Sequence, residues 1–278
     1  MSRDETEARD STGLLEALRN AADRTARMVR TVPDGAVRVP GMDWTAAETA
    51  AHMVGDLSFF ASFLTGQRDA RDYLDEGPGG PTASEHNAAV NNRQLREIPE
   101  RDMPRLADAI VAAAEEFAAV AAGRPDSDRA VVTNGMSMTV PVMSAVLLGE
   151  QVIHGLDIAR AVGLPWRITA QDALLVLAGA LAIVPEYVDR RAAAGRHVSY
   201  ELRLRGGPRY RLSFDDGTLS VTAPGPKADC VISADPVAFL LVGYGRTGQW
   251  GQIIRGKLVA GGRKPWLALG FSKLLASP

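Results

Sequence analysis

The sequence predicts an α+β protein: a four-helix bundle followed by a small α/β domain on an antiparallel sheet. Three observations carry this. Residues from 11 to about 194 are Ala-rich and repeat their apolar side chains at spacings of three and four. From His197 onward, apolar and polar residues alternate instead, as in strands with one buried face. No internal repeat or low-complexity tract blurs the change of regime.

The helices follow in order. Ser11 or Thr12 suits the cap of a first helix whose Leu14, Leu18, Ala21, Thr25 and Met28 share a face. A second begins at Thr45 and carries Ala50, Met53, Leu57, Phe60 and Leu64. A Gly/Pro loop, Glu76 to Pro81, precedes a short helical piece near 84–96. Pro99 and Pro104 punctuate the chain before a third long helix with Leu106, Ile110, Phe117 and Val120. Asn134-Gly135 between Val131-Val132 and Met136 reads as a hairpin turn. Pro141 suits the first turn of a fourth helix running to about Ala161. The helical stretch 171–194 reads as a link, so the expected boundaries are 11–165 for the bundle, 166–196 for the link and 197–278 for the α/β domain. In that last domain, strands are expected around Val198–Leu204, Tyr210–Phe214, Leu219–Val221 and Cys230–Ser233, with helix-like pieces at 235–243 and 264–275.

Composition narrows the function classes. A formal net charge of −2 over 278 residues, with no basic stripe, argues against a nucleic-acid partner. A single cysteine, Cys230, rules out an internal disulfide and a thiolate-rich metal site. The polar start Met1-Ser2-Arg3-Asp4-Glu5 lacks a signal-peptide core, and the apolar runs are expected to stop short of bilayer length. The expectation is a cytoplasmic protein with no membrane insertion.

Three residues stand out chemically: His52, Glu150 and His154. Glu150 and His154 are four apart, about 40° beyond one full helical turn, so their side chains leave the same face. Met143, Val146, Leu147 and Ile153 share that neighbourhood. An i, i+4 salt bridge on a solvated face is one reading of the pair. A metal held inside a bundle is the other, since a carboxylate among apolar residues needs a partner. His52 lies about two turns into the second helix, about 100° from Met53 and so beside the main apolar stripe. Glu48 and Asp157, each about one turn from a histidine, could accept a hydrogen bond from a ring nitrogen or from a nearby arginine such as Arg160, or sit as ordinary surface charges. His86 and His197 have no ligand-like context, and Trp166 and Trp250 read as packing residues.

Trp44-Thr45, Glu48 and Ala51-His52, followed by Gly149-Glu150-Gln151-Val152-Ile153-His154-Gly155-Leu156-Asp157 and on to Gly163, resemble the mycothiol-dependent maleylpyruvate isomerase family. That family belongs to the DinB-like group of metal-binding four-helix bundles, and the resemblance covers about residues 11–165. It implies that His52, Glu150 and His154 bind one divalent metal, usually zinc, with mycothiol as the thiol cosubstrate. Ala234-Asp235-Pro236 through Arg246, then Gly256-Lys257-Leu258, resembles the sterol-carrier-like domain attached to many members. There the resemblance implies an arginine that binds an acidic substrate; Arg246 is the best match, with Arg255 and Arg263 as rivals and a solvated surface arginine as the plain alternative.

Three protein ligands leave zinc with an open position, where a thiol is deprotonated. The implied chemistry is a metal-bound thiolate attacking an electrophilic carbon of a small substrate, with either cis–trans isomerisation or thiol S-transfer as the outcome. Zinc suits the donor set, though nickel, cobalt or iron could take it. A different class of function is a non-catalytic protein that binds a hydrophobic ligand in the sterol-carrier-like domain; a third is a metal-binding regulatory or scaffold protein without the thiol chemistry.

Overall fold

The apolar spacing becomes helices α1 (Arg3–Val29), α2 (Ala46–Thr65), α3 (Ala83–Glu97), α4 (Met103–Ala122) and α5 (Val140–Val162) in the computed structural model, which describes residues 3–69, 83–132 and 136–275. Around the bundle the order is α2, α4, α1, α5, with α5 closing back on α2, and α3 lies against α2. Leu18, Leu57, Leu106, Ile110, Phe117, Met143 and Leu147 are buried in its centre. Each such side chain contributes roughly 1.5–3 kcal/mol through removal from water.

Helix ends follow local chemistry. Thr45 caps α2 by accepting from the Glu48 backbone N–H at 3.2 Å, while the Glu48 carboxylate accepts from the Thr45 N–H at 2.8 Å. Gly163 ends α5 in the left-handed conformation at φ 71°. The first helix departs from expectation: it starts at Arg3, so Ser11 and Thr12 lie inside it and do not cap it. Glu5, Glu7, Ala8 and Arg9 are good helix formers, and the short Ser11-Thr12-Gly13 run is carried between favourable neighbours.

Before α5, strands β1 (Arg129–Val131) and β2 (Ser137–Thr139) pair antiparallel, with Ala130 opposite Met138. The expected turn at Asn134-Gly135 and the Gly/Pro loop from Glu76 to Pro81 lie outside the described residues. Among the described residues, two helical stretches, α5 and Ala170–Tyr187, are long and apolar enough to cross a membrane by length and composition alone. For α5, 72% of that window is buried, so its apolarity is that of a core helix.

The chain divides into two units, Met1–Ile168 and Thr169–Pro278. The stretch expected as a link therefore falls with the second unit from Thr169 on. That unit contains α6 (Ala170–Ile183), a 3₁₀ turn, α7 (Arg190–Ala193), then β3 (His197–Leu204), β4 (Arg209–Asp215), β5 (Thr218–Thr222), β6 (Cys230–Ala234), α8 (Pro236–Gly243), α9 (Gln249–Ile254), β7 (Leu258–Gly261) and a 3₁₀ segment, Pro265–Leu274. The sheet order is β5-β4-β3-β6-β7.

The α+β class therefore holds, but the sheet is not wholly antiparallel. β3 and β6 run parallel, with Leu202 opposite Ile232, and the edge strand β7 was not expected. Alternation reveals which side chains face inward, not which strand is the neighbour or which way it runs. The inward face carries Tyr200, Leu202, Leu212, Phe214 and Cys230. Tyr200 meets Phe271 edge-on, with ring centres 5.0 Å apart.

Candidate metal centre

Among the described residues, one group of metal-ligating side chains converges: His52 from α2, with Glu150 and His154 from α5, their ligand atoms all within 4.8 Å of one another. His154 Nε2 is 3.0 Å from Glu150 Oε2, and His52 Nε2 is 3.5 Å from the same oxygen. Both histidines are buried, and Glu150 has a side chain only 20% exposed. The helical spacing explains the α5 pair, and the α2–α5 contact brings in His52.

The far side of each ring is also held. His154 Nδ1 donates to Asp157 Oδ2 at 3.1 Å, one turn further along α5. His52 Nδ1 donates to Gln94 Oε1 at 3.0 Å, and Gln94 Nε2 donates to Asp56 Oδ1 at 2.7 Å. Asp56 Oδ2 lies 3.3 Å from His52 Nε2. Trp44 covers the pair, its ring centre 4.8 Å from that of His52 and 6.4 Å from that of His154.

Electrostatics define what the cluster needs. Burial opposes protonation of His154, but hydrogen bonds to Asp157 and Glu150 outweigh it and push the ring up to about 9. His52 is also raised: burial opposes this, and the charge of Asp56 and the bond to Glu150 prevail. Burial favours a neutral Glu150, yet its bonds to His154 and His52 hold it well below the usual carboxylate range. Asp56 is raised, first by burial and then by the neighbouring Glu150, with His52 opposing. Two imidazole nitrogens and a carboxylate oxygen thus face one place that favours positive charge, which protons supply when no cation does. A divalent metal fits this donor set: two nitrogens and one oxygen from rigid helices, with Nδ1 of both rings already engaged.

Of the other residues singled out by sequence, Glu48 is engaged in the α2 capping box with Thr45 and not with either candidate ligand histidine. Asp157 does hold a ligand-candidate ring. His197 pairs with Asp215 at the exposed start of β3, and the His86 side chain lies outside the described residues. Arg246 follows α8 in the second unit and donates to the Tyr244 carbonyl at 2.8 Å. Arg255 donates to the Gly251 carbonyl, and Arg263 is paired with Asp229. Asp56 and Gln94 were missed. Asp56 stands four residues after His52, the same spacing that singled out Glu150 and His154, so that signal could have found it.

The motif around His154 also has a steric reason. The Trp166 ring packs closely at Gly155, where a Cβ would stand 2.4 Å from a ring carbon, and the indole N–H donates to the Val152 carbonyl at 3.0 Å. Only glycine leaves room for that ring beside His154.

Residues 18–159 match the family model described as the mycothiol maleylpyruvate isomerase N-terminal domain. The chain belongs to the mycothiol maleylpyruvate isomerase family. Among solved structures, an alanine-for-histidine mutant of the mycothiol-dependent maleylpyruvate isomerase is similar with a TM-score of 0.54 at 13% identity, over 90% of this chain and 92% of that one. The unmutated mycothiol-dependent maleylpyruvate isomerase is similar at 14% identity and a TM-score of 0.47, over the same shares. The first likeness shows that the family fold extends through both units. No curated protein matches the chain in sequence.

Proposed function

We propose that this member of the mycothiol maleylpyruvate isomerase family is a metal-dependent enzyme that uses mycothiol on a small electrophilic substrate. The reaction is a maleylpyruvate-type cis–trans isomerisation or a thiol S-transfer. The observation that supports it most is the convergence of His52, Glu150 and His154 within the family's domain. His52 and His154 would hold the ion through Nε2 and Glu150 through a carboxylate oxygen. Bound there, a divalent ion, zinc first among the candidates, would supply Lewis acidity that favours the thiolate form of a thiol at neutral pH.

The chain's own part is binding and orientation. Asp157 and Gln94 keep both rings turned with Nε2 toward Glu150. Trp44 shields one side of the rings from water. In isomerisation, the external thiolate adds to a conjugated double bond to give an enolate, the former double bond rotates as a single bond, and elimination expels the same thiolate; in transfer, the carbon–sulfur bond stays and the enolate carbon takes up the proton that the thiol gave up. By the family resemblance, Arg246 is proposed to bind an acidic group of the substrate. Arg246→Ala is then expected to raise KM at unchanged metal content, and an unchanged KM removes Arg246 from the site.

Elemental analysis of the purified protein beside His52→Ala, Glu150→Ala and His154→Ala tests the reading first. About one metal per chain in the wild type, lost in each variant, is the outcome expected of a three-ligand site. Mass analysis of the product after incubation with mycothiol then separates transfer from isomerisation. A wild type that takes up no metal sinks the metal-dependent reading and leaves hydrophobic-ligand binding by the second unit as the reading to test.

A further inference from the structure

We propose that Gln94 is a positioning residue: held by Asp56, it fixes His52 in the tautomer that turns its Nε2 lone pair toward Glu150. The inference rests on the metal-dependent reading above and concerns residues outside the ligand set.

The argument runs through donor and acceptor identity. A glutamine amide has one accepting oxygen and one donating nitrogen, and the Asp56 oxygen that faces it is an acceptor. Asp56 Oδ1, 2.7 Å away, therefore selects the amide nitrogen of Gln94. The amide oxygen is left facing His52 Nδ1 at 3.0 Å, and that ring nitrogen must then carry the hydrogen. With Nδ1 protonated, the neutral ring presents its lone pair at Nε2, on the Glu150 side. Gln94 is 2% exposed, so water has little access to replace either bond.

Packing holds the amide where this logic needs it. Gly55 of α2 lies under the Gln94 side chain, and a Cβ there would stand 3.2 Å from both Cβ and Cδ of Gln94. One face of α2 thus supplies the ring at His52, the gap at Gly55 and the orienting carboxylate at Asp56, while α3 supplies the amide between them. Asp56 also places its second oxygen 3.3 Å from His52 Nε2.

The test compares Zn²⁺ affinity, by chelator competition, and the visible spectrum of the Co²⁺-substituted protein in wild type, Gln94→Met and Gly55→Ala. Met fills nearly the same volume without hydrogen-bonding as an amide does. Gln94→Met is expected to weaken Zn²⁺ binding about 10–100-fold and to alter the Co²⁺ bands. Gly55→Ala should shift both readouts in the same direction by less, because it only displaces the amide. Wild-type affinity and spectrum in Gln94→Met overturn the proposal; if that variant does not fold, unchanged values in Gly55→Ala overturn it. Should the wild type bind no metal, the functional reading fails separately, and ¹⁵N shifts of the His52 ring at high pH decide. An Nδ1–H tautomer in the wild type that is lost in Gln94→Met supports the positioning role, and identical shifts sink it.

Discussion

The two halves of the candidate metal centre solve one problem by different routes. On α5, Glu150, His154 and Asp157 occupy a single helical face, and the ring is oriented by a carboxylate three residues away. On α2, His52 and Asp56 have a similar spacing, but the ring is oriented by Gln94, 42 residues further on in α3. The first half is complete once one helix forms. The second requires α3 to dock, so its geometry depends on tertiary structure.

That contrast can be broken or sharpened by mutation. The largest effect is expected for Glu150→Ala, which removes the one oxygen both rings face: metal content should fall from about one per chain to none. Retained stoichiometric metal would mean that the halves do not share this ligand. Asp157→Asn should weaken Zn²⁺ binding about 10–100-fold, as expected for a group behind a ligand. A far smaller loss than in Gln94→Met would show that the α5 half needs no orienting partner.

In metal-free protein, His154 titrates near 9 in place of its usual 6.5. The raised value means that the protonated ring stabilises the fold. This contribution is complete below about 6.5 and is lost as pH rises through about 9. The thermal midpoint of the metal-free protein should fall across that window, and Glu150→Gln should flatten the profile. A profile already flat in the wild type would contradict the Glu150–His154 coupling. Gly155→Ala drives a methyl into the Trp166 ring and should cost roughly 1–3 kcal/mol of stability in urea unfolding. Smallest is Thr45→Ala, at about 1 kcal/mol for the lost cap, with metal affinity little changed; a large loss of affinity there would show that the start of α2 is what positions His52.

The same contrast explains what the sequence made legible. The helices of the bundle emerged from apolar spacing because each buries one stripe, and the α5 triad emerged because its members are neighbours on one helix. The partnership of Gln94 with His52 had no local trace: Asn91-Asn92-Arg93-Gln94 reads as a polar helix surface, and only the docking of α3 buries the amide. Glu48 shows the converse, since its spacing from His52 suggested a supporting role while Thr45, three residues earlier, had the stronger claim through the capping box. In the second unit, alternation identified β3, β4 and β5, but the parallel β3–β6 pairing depends on a crossover that no periodicity encodes. β7 escaped because Leu258–Gly261 is short and contains no strict alternation.

The indole of Trp44, tilted against both imidazoles, gives this centre an optical readout of its own. An imidazolium in contact with an excited indole quenches its emission more strongly than a neutral ring does. Loss of protons from His52 and His154, whether by raising the pH or by a cation displacing them, should therefore brighten the fluorescence of this one tryptophan.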